Sequence, residues 1–185
     1  MLRTGEIDCA ILAEPFPDAG LAIAPLYDEP FFAAVPSSHP LAKQSHVTAQ
    51  ELKSETMLLL GNGHCFRDHV LEVCPEFARF SSDTEGIRKS FEGSSLETIQ
   101  HMVAAGMGIT LVPRLSVPAQ ALQAPKRRDA KVFVKYLPVQ DGKGIPPPTR
   151  RVVLAWRRSF TRYEAIAALR NAVYACELPG VTRLS

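Results

Sequence analysis

Ser94-Ser95-Leu96-Glu97-Thr98-Ile99-Gln100-His101-Met102-Val103-Ala104-Ala105-Gly106-Met107-Gly108-Ile109-Thr110-Leu111-Val112-Pro113 reads as a helix running into a strand. Ser94, with Glu97 three residues on, makes a capping box. Leu96, Ile99, Met102 and Val103 then fall on one face, so the spacing predicts a helix over 94–105. Gly106 supplies the stop. Residues 109–112 form a short apolar run, a buried strand closed by Pro113.

The same alternation extends in both directions. Upstream, residues 57–60 (Met-Leu-Leu-Leu) read as a strand, 61–63 as a turn and 66–73 as a helix. Thr48 and Glu51 form a second capping box before a short helix. Residues 36–42 are a turn, preceded by two strands over 22–26 and 31–35 that Pro25, Pro30 and Pro36 punctuate. Residues 7–12 read as a buried strand of the kind parallel sheets use. Leu2-Arg3-Thr4-Gly5 looks like the last turn of a helix with a glycine stop, so the natural domain is expected to begin upstream of Met1. Downstream, 132–137 and 152–156 are strands, and 138–148, with Gly142, Gly144 and three successive prolines, is a connection. A helix is expected over 161–176, with Tyr163, Ile166, Leu169, Val173 and Cys176 on one stripe. Strands alternating with helices predict an α/β fold.

The chain's 185 residues suffice for one domain or two small lobes. With 46% hydrophobic and 22% charged residues the composition is that of a soluble globular protein. A net charge of +2 argues against a nucleic-acid groove, and Lys126-Arg127-Arg128 reads as a solvated loop. No secretory signal follows Met1, and the longest apolar runs, 57–60 and 152–156, are too short to span a bilayer. A cytoplasmic location without membrane association is expected. Four cysteines in such a compartment rest as thiols, and a pair that oxidises there is a switch and not a staple.

On spacing alone Cys65 and Cys74 read as small buried hydrophobes, as do Cys9 in mid-strand and Cys176 on an apolar helix face. His64, Cys65, His69 and Cys74 crowd into eleven residues, but no Cys-x2-Cys knuckle accompanies them and no metal is expected. His39 and His46 are loop residues without an evident partner, and His101 is a partly exposed surface residue. Ser94 and Ser95, at a helix start, could cradle an anion or small ligand, although capping explains them equally well.

Gly5-Glu6-Ile7-Asp8-Cys9-Ala10-Ile11-Leu12, Pro25-Leu26-Tyr27-Asp28-Glu29-Pro30 and His39-Pro40-Leu41-Ala42 resemble the effector-binding domains of LysR-type transcriptional regulators. Gly63-His64-Cys65-Phe66-Arg67-Asp68, with Cys74 nine residues on, is similar to the branch of that family that senses hydrogen peroxide. Ser95-Leu96-Glu97-Thr98 and residues 102–113 add to the likeness, which is strong over 57–113 and loose over 75–93 and 114–148. The resemblance implies a two-lobed, periplasmic-binding-protein-like domain. Residues 1–30 and 149–185 would form an incomplete first lobe, and 31–148 a second lobe carrying the redox cysteines. It also implies a DNA-binding helix-turn-helix upstream and absent from this chain. DNA would then be contacted only through that missing domain, in a homodimeric or tetrameric activator of the oxidative stress response.

For the chemistry, the resemblance implies that hydrogen peroxide oxidises Cys65 to a sulfenic acid, which then forms a disulfide with Cys74. Only the thiolate attacks an O–O bond, and the positive end of a helix dipole at Cys65 favours that anion. His64 and Arg67 would add charge or a hydrogen bond, and Arg150 would orient peroxide or stabilise the departing hydroxide. Nine helical steps separate the two cysteines by ~13 Å at the usual rise per residue. A disulfide tolerates a Cα separation of at most about 7 Å, so the bond requires the helix to unwind. Thioredoxin or glutaredoxin would be the reductant, and no cofactor is implied. Two rivals stand beside this reading. One is a LysR-type domain that binds a small metabolite between its lobes, its cysteines incidental. The other, ranked last, is a thiol peroxidase; the chain is expected to be a switch and not an enzyme.

Overall fold

A computed structural model describes residues 1–61, 64–75, 77, 90–93, 95–122 and 132–184. The chain divides into two compact units, Met1–Glu29 with Thr149–Ser185, and Pro30–Pro148. The basic cluster 126–128, Gly63 and Ser94 lie outside the described residues.

In the first unit β1 (Cys9–Ala13) runs antiparallel to β7 (Thr149–Arg157), with Cys9 opposite Trp156 and Ala13 opposite Val152. This corrects the expectation of a buried, parallel-type strand: Ile11 is 47% exposed and Cys9 half-buried. The apolar run was real, but a run by itself does not say how many of its faces a neighbour will cover. The other side of β7 faces β2 (Leu21–Pro36), whose Tyr27 and Asp28 pair with β8 (Thr182–Arg183). The two strands expected over 22–26 and 31–35 are thus one. Neither Pro25 nor Pro30 falls in the registers β2 makes with β5, β6 or β8, so those ladders ask no N–H of a residue that lacks one. Glu6 N–H closes on the Met1 carbonyl at 3.1 Å across Gly5, the bond of a glycine-terminated turn.

The core of this unit is Leu26, Val152, Leu154 and Ile166. The C-terminal helix, residues Tyr163–Ala175, buries only Ile166 fully, with Leu169 and Val173 packed beside it. Tyr163 and Cys176 do not join that stripe. Tyr163 is the first helical residue and is exposed, and Cys176 has left the helix at φ −68°, ψ 139° and is also exposed.

In the second unit β5 (Thr110–Pro113) and β6 (Val134–Pro138) flank the remainder of β2, both antiparallel. Strand β3 (Met57–Leu60) is buried at all four residues. It pairs in parallel with β4 (Ser90–Gly93), a strand the sequence reading missed. Helix α1 (Ala49–Leu52) starts at the expected box: Thr48 Oγ1 accepts the Glu51 N–H at 3.2 Å, and Glu51 Oε2 accepts the Thr48 N–H at 2.8 Å. The Thr48 backbone bond first, then Gln44 and the Thr48 hydroxyl, hold the Glu51 carboxyl below the usual carboxylate range. A lowered folded value means the contribution is present above the unfolded value and is lost as pH falls through the folded one. Thr48→Ala is expected to cost about 1 kcal/mol at neutral pH. In urea titrations that cost should shrink as the pH is taken below the carboxylate range.

Helix α2 (Cys65–Val73) follows β3, and α3 (Leu96–Ala104) follows β4. The N-cap of α3 is Ser95: its backbone is extended (φ −146°, ψ 161°) and its Oγ accepts the Thr98 N–H at 3.1 Å. The helix, expected over 94–105, therefore spans Leu96–Ala104, and Glu97 is its second residue and not the third that a capping box requires. Gly106, at φ 79°, closes the helix, with Met107 N–H bonding the Met102 carbonyl at 3.1 Å. Gly108 is required for a different reason. A Cβ there would lie 2.5 Å from the Thr56 carbonyl oxygen and 3.2 Å from Leu58 Cγ. Gly108→Ala must displace β3, and is expected to lose about 1–3 kcal/mol of stability in denaturant or thermal unfolding.

No helix is long and apolar enough to cross a membrane among the described residues.

Candidate functional site

Helix α2 is built from two kinds of residue. Phe66, Arg67, His69 and Val70 are buried, whereas His64, Cys65 and Asp68 face solvent. The Phe66 ring lies 5.8 Å from that of Phe31, and the His69 ring 6.4 Å and 6.3 Å from Phe31 and Phe66. Arg67, 5% exposed, donates from Nη1 to the Leu60 carbonyl at 2.9 Å, which ties the first turn of α2 to the end of β3. Arg67 and Cys65 are two residues apart on a helix and so do not share a face.

Cys65 is the first helical residue, after the N-cap His64 (φ −88°, ψ 117°), which makes no side-chain capping bond. The thiol is exposed and stands in the first turn of α2, where the Arg67 N–H bonds the His64 carbonyl at 2.9 Å. Cys74 is the C-cap at the other end, 0% exposed, in the same core as Phe66, Val70 and Phe77. Its N–H bonds the Val70 carbonyl at 2.9 Å. The two thiols thus occupy opposite ends of one helix and opposite environments, solvent and core.

Ser95, the other serine considered for anion binding, uses its hydroxyl as the α3 cap. His39 and His46 have the partners that sequence did not name. His39 Nδ1 accepts the Leu41 N–H at 3.3 Å and its Nε2 lies 3.1 Å from Glu55, while His46 Nδ1 lies 3.1 Å from the Ser45 hydroxyl. Among the described residues no cluster of three or more His, Cys, Asp or Glu could hold a metal ion.

In the first unit, Arg150 on β7 donates from Nε to Oε2 of Glu29 on β2 at 2.9 Å, and its Nη2 lies 2.8 Å from the same oxygen in an ion pair. Glu29 is 0% exposed. Beside it the Tyr27 phenol is pushed up by burial first and by the Glu29 charge second, with Arg150 opposing. Neighbouring Arg151 makes a two-bond pair with Asp28 at 2.9 and 3.0 Å, nearer solvent. Sequence reasoning passed over Glu29. The signal was a carboxylate between Leu26 and Phe31 in a strand, with an arginine pair opening the return strand.

A family model described as LysR substrate binding domain matches residues 1–175. A hydrogen peroxide-inducible genes activator from Pectobacterium carotovorum subsp. carotovorum is 38% identical over 169 residues, 90% of this chain and 50% of that protein. A reduced form of OxyR from N. meningitidis is 38% identical with a TM-score of 0.80, covering 100% of this chain and 79% of that one. The reduced OxyR regulatory domain from Pseudomonas aeruginosa is also 38% identical, with a TM-score of 0.72 over 95% of this chain and 76% of that one. The chain spans about half the length of the curated relatives it matches.

Proposed function

The chain belongs to the LysR substrate-binding domain family, and from that premise we propose that it is the peroxide-sensing regulatory domain of a cytoplasmic transcription factor. The α/β class and the LysR-type resemblance read from sequence agree with that membership. The observation that carries the proposal is the contrast between Cys65, exposed at the start of α2, and Cys74, sealed in the core at its end. A reactive thiol must be met by its oxidant, and a resolving thiol must be withheld until it is needed.

In the proposed reaction the Cys65 thiolate attacks one oxygen of hydrogen peroxide. An S–O bond forms, the O–O bond breaks, and the second oxygen leaves as hydroxide, which takes up a proton to become water. The sulfur is oxidised by two electrons and the peroxide reduced. The Cys74 thiol then displaces water from the sulfenic acid and closes the disulfide. Nine residue steps at helical rise put the two Cα atoms ~13 Å apart. A disulfide needs about 7 Å or less, so α2 unwinds and Cys74 leaves the core. That rearrangement is the signal. The amides of the first turn of α2 and His64 support the anionic sulfur, Arg67 holds the helix start to β3, and Arg150 orients peroxide or meets the departing hydroxide. The units Met1–Glu29 with Thr149–Ser185 and Pro30–Pro148 act as the two lobes. DNA binding and assembly into dimers or tetramers belong to the longer protein, and thioredoxin or glutaredoxin returns the switch to its reduced form. The domain is a switch and not a turnover enzyme.

The test is mass spectrometry of the intact chain, with peptide mapping, after about one equivalent of peroxide. A link between residues 65 and 74 is expected, with Cys9 and Cys176 still reduced. Four intact thiols would overturn the proposal.

A further inference from the structure

We propose that Asp68, seconded by Glu72, is a specificity-determining residue that reserves Cys65 for uncharged oxidants by repelling anionic ones. The inference rests on the reading that the Cys65 thiolate attacks hydrogen peroxide, and it names the class of oxidant that the thiol admits.

The ionisable side chains of α2 are sorted by sign. Its two basic residues, Arg67 and His69, are 5% and 2% exposed, and Arg67 is turned to the Leu60 carbonyl. Its two acidic residues, Asp68 and Glu72, face solvent, as Cys65 does. Positions three and seven residues on return to the same face of a helix. Asp68 therefore stands about 6 Å from Cys65 along that face, and Glu72 about 10 Å. Neither carboxylate has an ion-pair partner among the described residues, so neither charge is neutralised locally. Helix stability accounts for only one of them. Asp68 in the first turn complements the dipole, whereas Glu72 in the last turn opposes it, and no basic residue occupies that turn.

The chemical use follows from the charge of competing reagents. The positive end of the α2 dipole favours the Cys65 anion, and by itself it would draw any other anion to the same place. Hydrogen peroxide carries no charge and meets no net repulsion from the carboxylates. An anionic oxidant such as peroxymonosulfate can perform the same step. The sulfur bonds to its terminal peroxo oxygen, the O–O bond breaks, and sulfate leaves with the bonding pair, giving the same sulfenic acid. Two like charges about 6 Å apart in water slow such an encounter by about threefold at low salt, and the effect fades once the Debye length falls below their separation.

The test compares two alkylating reagents of similar shape, neutral iodoacetamide and anionic iodoacetate, on the whole chain. Each loses iodide to the Cys65 thiolate, so a change in the thiolate population moves both rates together and cancels in their ratio. Rates at Cys65 are read by peptide mapping at about pH 8, above the usual imidazole range. Asp68→Asn is expected to raise the iodoacetate-to-iodoacetamide ratio by about threefold at about 0.01 M salt and to leave it nearly unchanged at about 1 M. Glu72→Gln, farther from the thiol, is expected to raise it by about twofold at the lower salt. Asp68→Glu keeps the charge and should keep the wild-type ratio. Oxidants should follow the same order: in Asp68→Asn, peroxymonosulfate should gain about threefold on hydrogen peroxide at low salt. An unchanged ratio in Asp68→Asn, a change that persists at high salt, or the same change in Asp68→Glu would each overturn the inference and leave the function proposed above standing. A wild-type Cys65 that ignored hydrogen peroxide would instead overturn that function, and this inference with it.

Discussion

Cys65→Ser is expected to reduce the rate of peroxide-driven oxidation of the chain by on the order of a hundredfold or more, to that of its other thiols. A serine at the first position of α2 fits the same space and keeps the same amides around it, so the fold and stability should be unchanged. What is lost is the polarisable anion that attacks the O–O bond. Cys74→Ser separates the two halves of the reaction: oxidation at Cys65 should proceed, and the product should stop as a sulfenic acid, one oxygen atom heavier than the reduced chain and trappable by a carbon nucleophile such as dimedone. The wild-type disulfide should also be visible in the backbone. Arg67 is 5% exposed inside α2, and a protease needs a locally unfolded, accessible segment to cut. If closing the disulfide unwinds α2, trypsin should cut after Arg67 faster in the oxidised chain than in the reduced one. Equal cleavage of the two forms would mean that the disulfide forms without unwinding α2.

Arg150→Met is expected to be among the most destabilising single changes outside the two apolar cores, at about 3–5 kcal/mol. Methionine replaces the length of the side chain but takes from the Glu29 carboxylate, 0% exposed, the guanidinium whose Nε donates to it at 2.9 Å and whose Nη2 lies 2.8 Å away. The measurement is the urea midpoint of the variant against wild type. The companion test is Glu29→Gln in the same background, which removes the buried carboxylate charge and should recover a large part of the loss. Arg151→Met gives the contrast. Its pair with Asp28 is equally well formed but half open to solvent, where water screens the attraction, and its removal should move the urea midpoint far less. If the two arginines cost the same, burial of Glu29 is not what gives its pair a special weight. The large cost of Arg150→Met also explains why a loss of peroxide sensing in such a variant says little by itself.

Several elements were legible before any coordinates because their causes are local. The Thr48–Glu51 box, the stop at Gly106 and the buried run at 57–60 are each decided by residues within four positions of one another. The α2 helix was legible for the same reason, with the correction that it begins at Cys65 and not at Phe66. The misreadings came where the competing possibilities are equally local. Ser94 and Ser95 are chemically the same cap, and only the backbone of Ser95 shows which is used. Prolines punctuate a strand on paper, but β2 continues through Pro25 and Pro30, and its registers with β5, β6 and β8 avoid both. Strand β4 carries Ser90, Phe91, Glu92 and Gly93, which offer no clean alternation, and its identity comes from β3 beside it.

Sequence by itself determined the α/β class, the helix that separates Cys65 from Cys74, and the resemblance in Gly63-His64-Cys65-Phe66-Arg67-Asp68 that singled out these two cysteines among four. Helix periodicity, capping and motif are properties of neighbouring residues, so a linear reading reaches them. Only the tertiary structure decided that Cys65 meets solvent while Cys74 is sealed in the core, that Cys176 is exposed and not part of an apolar stripe, and that Glu29 meets Arg150 across 121 positions of chain. Burial and ion pairing depend on which distant segments cover a residue. The free energy of covering it is summed over the whole fold, and no short stretch of sequence contains that sum.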